Sequence, residues 1–181
     1  MDRLTPLSKP DPVVTLDEVK ANLRITHTEE DALLARLIAS ATASLDGRDG
    51  ALGRALMPQR WRLERDQFCY GIEMPLPPLL SVQAVRYLDA AGIERTVDLA
   101  DVVIVGTDPA VLRARTIWPT VLAEPGAVAI EFTAGYQDVP EPIRTAIIRS
   151  VGSLYVNREA SAGAAALDFS GLDPYRQWAF G

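Results

Sequence analysis

The apolar residues of this chain change their spacing twice. They recur every three or four residues in the first part, alternate with polar residues from about position 57, and return to the first spacing from about position 142. The first spacing is typical of an amphipathic helix, and alternation is typical of a strand with one buried face. The sequence therefore predicts an α+β fold: a mainly helical core, a small antiparallel β module inserted in the middle, and an extended C-terminal tail.

Helix start signals place three helices along the chain. Thr15 with Glu18, and Thr28 with Asp31, fit a capping box, in which each side chain accepts from the other residue's backbone N–H. Pro142 favours a helix start because the first turn does not need the N–H that proline lacks. The predicted helices lie near residues 15–24, 28–46 and 142–158.

The middle of the chain predicts the strands of the β module. Trp61 and Leu63 alternate with Arg60 and Arg62, as in a strand with one buried face. Residues 90–92 form a tight turn between two apolar runs, which predicts a β-hairpin. Glycines and prolines separate the further short strands that follow.

Composition along the chain predicts its organisation. Residues 1–56 and 136–160 form one helical core, and residues 57–135 form the β module between them. Residues 161–181 begin with small side chains, as a flexible linker does, and end with several aromatic ones. We therefore expect a linker followed by a C-terminal docking tail.

The overall composition excludes several classes of protein. The 181 residues carry a formal net charge of −6, and 48% of them are hydrophobic, which is enough for a packed core. One cysteine and one histidine cannot form an internal disulfide, a multi-cysteine metal site or a two-histidine metal site. The acidic balance argues against a dedicated nucleic-acid binder. The sequence shows neither a secretory leader nor a membrane-spanning run, so we expect synthesis in the cytoplasm and no membrane partner.

An enzymatic function would depend on His27 or Cys69. His27 stands between two threonines at a predicted helix–helix corner, without an accompanying serine or cysteine motif. Cys69 lies beside two aromatic residues, where a lone cysteine is usually a small apolar filler. A small hydrolase that uses one of these residues is an alternative, but the sequence predicts no catalytic residues, no metal site and no cofactor.

Two segments have the composition of contact surfaces. The tail, residues 172–180, contains three aromatic side chains and an arginine, which are typical anchors of protein interfaces. It either docks on a partner or folds back on its own core. A run of arginines forms either a solvated face or a surface for phosphates or acidic partners. These arginines are Arg48, Arg54, Arg60, Arg62 and Arg65.

A series of residue blocks, in order along nearly the whole chain, resembles the head–tail connector (adaptor) proteins of long-tailed phages and phage-like gene transfer agents. No single block is decisive, but their order and spacing are specific. The blocks are TLDEVK (15–20), EED (29–31), RALMPQRW (54–61), LPPL (76–79), FTAGY (132–136), VPEPI (139–143), YVNRE (155–159) and PYR (174–176).

This resemblance implies a structural protein of the virion neck that is made in the bacterial cytoplasm and has no catalytic residues. Such proteins form a ring, usually of 12 subunits, between the portal of a DNA-filled capsid and the tail or a stopper protein. The ring extends the DNA channel, and DNA passes through it without sequence-specific binding. Gly152, inside the third helix, departs from the family pattern; it either weakens that helix or permits close helix packing.

The resemblance also assigns roles to residues. The C-terminal segment of these proteins docks on the portal, and apolar helical faces suit the interface between ring subunits. The portal-docking residues here are Leu172, Pro174, Tyr175, Arg176, Trp178 and Phe180. The candidate subunit-interface residues are Leu33, Leu37, Ile148, Tyr155 and Arg158.

Other functions stay open at this stage. The chain could be another neck protein, such as a stopper or tail-completion protein, or a regulatory binding protein built on the β module. The sequence does not decide between an infectious phage and a gene transfer agent, and it does not give the number of subunits in the ring.

Overall fold

A computed structural model describes residues 2–157 and 169–177. The chain forms two compact units, each built from two separate stretches of sequence. The strand unit comprises Met1–Pro10 and Pro58–Tyr136, and the helix unit comprises Asp11–Met57 and Gln137–Gly181. The first ten residues therefore group with the strands and not with the helical core to which the sequence analysis assigned them.

The helix unit contains the three predicted helices. They are α1 (Leu16–Leu23), α2 (Asp31–Ala43) and α3 (Glu141–Val156), followed by a short 3-10 helix at Asp173–Tyr175. One apolar stripe of each helix is buried, including Val19, Leu34 and Ile147, none of which has any exposed surface. Burial of these stripes accounts for the three-to-four spacing of apolar residues in the sequence.

The predicted capping box of α1 is confirmed, and that of α2 is wrong. The Thr15 hydroxyl accepts from the Glu18 N–H at 3.2 Å, and the Glu18 carboxylate accepts from the Thr15 N–H at 2.7 Å. The N-cap of α2 is Glu30, which makes no side-chain capping bond. The Asp31 carboxylate instead accepts from the Lys20 ammonium at 2.6 Å, so it does not serve the helix start.

Thr15→Ala is expected to lower the free energy of unfolding by about 1 kcal/mol, because the substitution leaves the Glu18 N–H without its acceptor. Thr28→Ala is the matched control: Thr28 is an exposed threonine just before a helix, but the structure gives its hydroxyl no capping role. Urea denaturation of the two variants and the wild type measures the difference. Equal stability of the two variants would contradict the assigned cap.

Gly152 allows close helix packing. A Cβ atom at position 152 would lie 3.4 Å from Cδ2 of Leu23 at the end of α1, at the short end of ordinary van der Waals contact. Of the two interpretations of this glycine, close packing therefore applies. A larger side chain there would displace Leu23.

The strand unit is built from antiparallel strands. The strands are β1 (Arg3–Pro6), β2 (Gln59–Arg65), β3 (Ile72–Glu73), β4 (Leu79–Leu88), β5 (Glu94–Thr96), β6 (Val102–Val105), β7 (Val111–Ala114) and β8 (Val128–Ala134). A five-stranded sheet has the order β1-β2-β8-β4-β5, and a three-stranded sheet has the order β3-β7-β6. A 3-10 helix at Leu99–Asp101 precedes β6.

One face of the five-stranded sheet covers an apolar core. Leu63 of β2 pairs with Ile130 of β8, which pairs in turn with Val85 of β4. Ile130 and Val85 have no exposed surface, and Leu63 is 3% exposed. The predicted alternation in β2 is therefore confirmed, with Arg60 and Arg62 on the opposite face.

The predicted hairpin is formed by β4 and β5. The Asp89 carboxylate accepts from the N–H groups of Ala91 and Ile93 at 2.9 and 3.0 Å, and from Nε of Arg95 at 2.9 Å. The Arg95 guanidinium and these two N–H groups hold the pKa of Asp89 below its usual range. Gly92 has φ +76°, which suits a residue without a side chain.

The prediction of a mainly helical fold underestimates the strands. Both helices and antiparallel sheets are present, but β1 and β3 were not predicted, and β8 is a central strand of its sheet. Four residues in β1 and two in β3 are too few to show an alternating pattern. These strands form because longer neighbours offer free edges: Leu4 pairs with Leu63, and Ile72 pairs with Leu112.

Candidate functional site

The C-terminal segment 169–177 packs against its own unit. Leu172 is only 2% exposed, and the N–H of Gln177 donates to the carbonyl of Leu52 at 2.9 Å. Gly53, with φ +64°, lies next to Gln177, because a Cβ atom at position 53 would be 3.6 Å from Cβ of Gln177. The chain is thus held at two points before residue 178.

The predicted docking residues differ in how accessible they are. The structure corrects Leu172, because its buried side chain anchors the segment and is not free for a partner. Pro174 is exposed, whereas Tyr175 and Arg176 are half-buried. Nε of Arg176 lies 3.7 Å from the Asp173 carboxylate. Trp178 and Phe180, also predicted, lie outside the described residues.

An open groove adjoins this segment. Its volume is about 390 Å³, and it is bounded by α3 on one side and by residues 170–172 on the other. Glu141 and Arg149 of α3 contribute charge to it, and Leu172 forms part of its apolar wall. The groove is large enough for a few side chains of another protein.

The predicted subunit-interface residues lie on the helices. Leu33, Leu37 and Ile148 are half-buried, so each keeps part of an apolar side chain at the surface. The Tyr155 hydroxyl donates to the Glu30 carboxylate. Arg158 lies outside the described residues. The helix unit therefore offers apolar surface on α2 and α3, while Tyr155 is tied to its own chain.

The five arginines of the run are divided between the two units. Arg54 is only 5% exposed and belongs to the helix unit, as does the exposed Arg48. Arg65 is in the strand unit, where its Nε donates to the Asp2 carboxylate at 3.0 Å. Of the five, the buried Arg54 fits neither alternative left open by the sequence, a solvated face or a contact surface.

Two members of the run converge with a third arginine on one carboxylate that the sequence analysis missed. Glu131 of β8 accepts from Arg62 at 2.8 Å, from Arg86 at 2.9 Å and, more weakly, from Arg60 at 3.5 Å. The Glu131 side chain is 9% exposed, and the Arg62 guanidinium holds its pKa below the usual range. The pKa of Arg62 is raised in turn by the bond to Glu131.

A signal for this cluster exists in the sequence. Glu131 is the only charged residue of β8, a strand of otherwise apolar and small residues, and Arg60 and Arg62 alternate along β2. Register brings Arg62 opposite Glu131 and places Ala84 of β4 on its other side. The cluster thus links β2, β8 and β4 by charge on one face of the sheet.

The residues considered for catalysis have structural partners. Nδ1 of His27 lies 2.9 Å from the Glu29 carboxylate on an exposed corner. The Cys69 thiol donates to the Gly71 carbonyl at 3.0 Å and accepts from the Arg65 guanidinium. In the part of the chain that the structure describes, no group of three or more His, Cys, Asp or Glu side chains is placed to hold a metal ion.

No helix among the described residues 2–157 and 169–177 combines the length and apolar character needed to cross a bilayer.

Comparison with known proteins finds one family whose sequence model matches part of this chain. The sequence model of the phage gp6-like head-tail connector proteins matches residues 13–91. The chain resembles these connector proteins, as predicted. The match spans α1, α2 and the strands β2, β3 and β4, and ends in the β4–β5 turn. No curated protein matches the sequence.

Three similar solved structures share the fold of this chain over 97% of its length. The neck of an empty GTA (gene transfer agent) particle, computed with C6 symmetry, contains a chain with 23% identity, 96% of which is covered, at a TM-score of 0.78. The virion of a native GTA particle contains one with 24% identity, 95% coverage and a TM-score of 0.78. The neck of a native GTA particle, computed with C12 symmetry, contains one with 22% identity, 96% coverage and a TM-score of 0.71. The chain therefore shares the fold of chains in these three GTA particle structures over nearly its whole length.

Proposed function

We propose that this chain is a structural head–tail adaptor, a subunit of a ring between the portal of a DNA-filled capsid and the tail or stopper. The observation that carries the proposal is the fold match to GTA neck chains over 97% of the sequence, at TM-scores up to 0.78. The connector family model supports it independently, because it matches the sequence of residues 13–91. The chain acts in the neck of a phage or phage-like particle and has no catalytic function.

Cyclic symmetry of the similar necks supports a homo-oligomeric ring. Those structures were computed with C6 and C12 symmetry, and 12 subunits is the number that the resemblance implies. A cyclic ring needs two different contact surfaces on each subunit. The half-buried Leu33, Leu37 and Ile148 supply apolar surface for one of them.

The C-terminal segment docks on the portal in this proposal. Leu172 and the Gln177–Leu52 hydrogen bond hold the segment on its own unit, so the docking residues proper begin with Pro174 and continue beyond Gln177. Trp178 and Phe180 are the aromatic anchors. Anchoring up to position 177 reduces the entropy that the tail loses on binding.

Acidity suits a channel through which DNA slides. The chain has a net charge of −6, and the strand unit exposes Asp98, Asp101 and Glu124. Cationic walls would bind phosphates and retard the DNA. DNA passes through the ring without sequence-specific contacts.

Cryo-electron microscopy of the particle neck tests the proposal. We expect a ring of this chain in direct contact with the portal, with the C-terminal residues at that contact. A ring that lies further down the neck, separated from the portal by another protein, would identify the chain as a stopper or tail-completion protein instead. Absence of the chain from purified particles would reject both.

A further inference from the structure

The carbonyl group that holds the end of the C-terminal segment belongs to a packed loop. Gln177 donates its N–H to the carbonyl of Leu52, which lies in residues 44–57, called the α2–β2 loop below. Gln177 and this loop are parts of the same helix unit. Three leucines of the loop are at most 1% exposed, so its apolar side chains are packed and its backbone is held in place. These leucines are Leu45, Leu52 and Leu56.

The two limbs of the α2–β2 loop are tied to each other through the backbone. Asp46 and Arg54 pair as an isolated bridge, and the Gly47 N–H donates to the Arg54 carbonyl at 2.9 Å. Gly50 lies against the first limb, because a Cβ atom at position 50 would be 2.4 Å from the carbonyl oxygen of Asp46. A side chain does not fit there, so this loop closes around a glycine.

The Asp46 side chain braces the same two limbs. Its Oδ1 accepts from the N–H of Leu56, ten residues further along the chain, at 2.7 Å. Leu56 has no exposed surface, and a buried N–H that loses its acceptor destabilises the local structure. The Asp46 carboxylate therefore fixes the path of the residues between the two limbs, including Leu52 and its carbonyl.

The C-terminal segment reaches this carbonyl in an extended conformation. The 3-10 helix at Asp173–Tyr175 is followed by Arg176, with φ −74° and ψ 135°. The next N–H along the chain is that of Gln177, which donates to Leu52. Trp178, the first of the two aromatic residues at the end of the proposed docking tail, follows Gln177 directly in sequence. The position of the Leu52 carbonyl thus sets the point from which these aromatic residues start.

We propose that the α2–β2 loop positions the docking tail, and that Asp46 and Gly50 are positioning residues for portal binding. The inference rests on the proposed function. A segment that is held in place before it binds loses less conformational entropy on binding. Asp46 and Gly50 act through Leu52 and Gln177 of their own chain, so they raise the affinity for the portal without contacting it.

Hydrogen exchange in the free chain tests the positioning without the portal. NMR follows the Gln177 N–H, which the Leu52 carbonyl protects. Asp46→Ala removes the acceptor of the Leu56 N–H and is expected to speed exchange at Gln177 at least fivefold. Asp46→Asn keeps an acceptor oxygen and is expected to exchange like the wild type. Unchanged exchange at Gln177 in a folded Asp46→Ala chain would overturn the inference.

Asp49→Ala is the matched control for this measurement. Asp49 is an exposed aspartate of the same loop, and its replacement leaves the bond between Asp46 and Leu56 in place. Exchange at Gln177 is expected to stay at the wild-type rate in this variant. If Asp49→Ala speeds exchange as much as Asp46→Ala does, the effect is not specific to the brace, and the assignment of Asp46 is wrong.

A cycle of variants tests portal binding itself. Biolayer interferometry against the immobilised portal assembly measures Asp46→Ala both in the full chain and in a chain that ends at Gln177. We expect about a tenfold loss of affinity in the full chain and less than a twofold loss in the shortened one, which has no aromatic end to position. A general loss of stability would weaken both chains alike, so equal losses contradict a positioning role.

Gln177→Pro keeps the inference testable if Asp46→Ala does not fold. Proline lacks the N–H that the Leu52 carbonyl accepts, and the extended backbone of Arg176 already suits a residue that precedes proline. Gln177→Ala retains the N–H and is the matched control. We expect the proline variant to bind the portal about tenfold more weakly than the alanine variant. Equal affinity of the two would overturn the inference.

The outcomes separate the inference from the function on which it rests. If the wild-type chain binds the portal and the Asp46 and Gln177 variants bind equally well, tail docking stands and the positioning role of the loop fails. If the wild-type chain does not bind the portal, the proposed docking fails, and the inference fails with it.

Discussion

A chain truncated after Gln177 is expected to lose portal binding at least a hundredfold while its melting temperature stays unchanged. The truncation removes Trp178 and Phe180, the aromatic residues of the proposed docking tail. Buried aromatic anchors commonly contribute about 2 kcal/mol each to a protein interface, and 1.4 kcal/mol corresponds to a tenfold change in affinity. The truncation retains Leu172 and the hydrogen bond from Gln177 to Leu52, so the helix unit keeps its packing.

Biolayer interferometry against the immobilised portal assembly measures the loss. Leu172→Ala is the informative comparison, because it keeps both aromatic residues but removes their buried anchor. We expect this variant to be less stable by about 3 kcal/mol, in the usual range for a buried leucine, and to bind the portal more weakly than wild type. Wild-type affinity in the truncated chain would contradict portal docking by the tail.

The two interpretations of the tail illustrate what the sequence could not decide. Three aromatic residues after a stretch of small ones are equally suited to a partner and to the chain's own core. Part of the segment folds back: Leu172 is buried, and Gln177 bonds to Leu52, more than a hundred residues earlier. Local composition shows that aromatic surface must be covered, but it does not show by what.

The helices were predictable because their signals are local. The capping box of Thr15 and each apolar stripe of α1, α2 and α3 consist of residues only three or four positions apart. These features are present in the structure. The prediction of a capping box for α2 failed because the Asp31 carboxylate accepts a hydrogen bond from Lys20 of α1. Local signals are reliable until a residue from elsewhere in the fold offers a better partner.

The strands depend on pairing between distant segments. β2 and β4 both pair with β8, and β1 adds to the edge of β2. Alternation predicted β2, but no pattern within β2 indicates that Arg62 will face Glu131. The charge cluster was therefore missed, although its arginines were noted, because strand order and register bring it together.

Glu131→Ala is expected to lower the free energy of unfolding by about 2 kcal/mol. The carboxylate is 9% exposed, and its removal leaves the guanidinium groups of Arg62 and Arg86 without their shared acceptor. Breaking a fully buried ion pair costs about 3–5 kcal/mol. These arginine side chains are 37% and 36% exposed, so water compensates for part of the loss and the expected cost is smaller.

The same cluster predicts a pH dependence. Because the pKa of Glu131 is lower in the folded chain than in the unfolded one, its carboxylate stabilises the fold fully above the ordinary glutamate pKa of about 4.3. This contribution is lost as the pH falls through the lower pKa of the folded state. The difference in unfolding free energy between wild type and Glu131→Gln, measured by urea denaturation, is therefore expected to be constant near neutral pH and to shrink below about pH 4.

Glu124→Gln is the matched control, because Glu124 is an exposed glutamate of the same unit. Its effect is expected to stay within about 0.5 kcal/mol, as for an ordinary surface substitution. A double-mutant cycle of Glu131→Gln with Arg62→Gln isolates the 2.8 Å contact, since the two residues should show a coupling energy while Glu124 and Arg62 show none. If the Glu131 variant is as stable as the Glu124 control at neutral pH, the cluster does not stabilise the sheet, and its arginines must be held by the apolar packing of their stems alone.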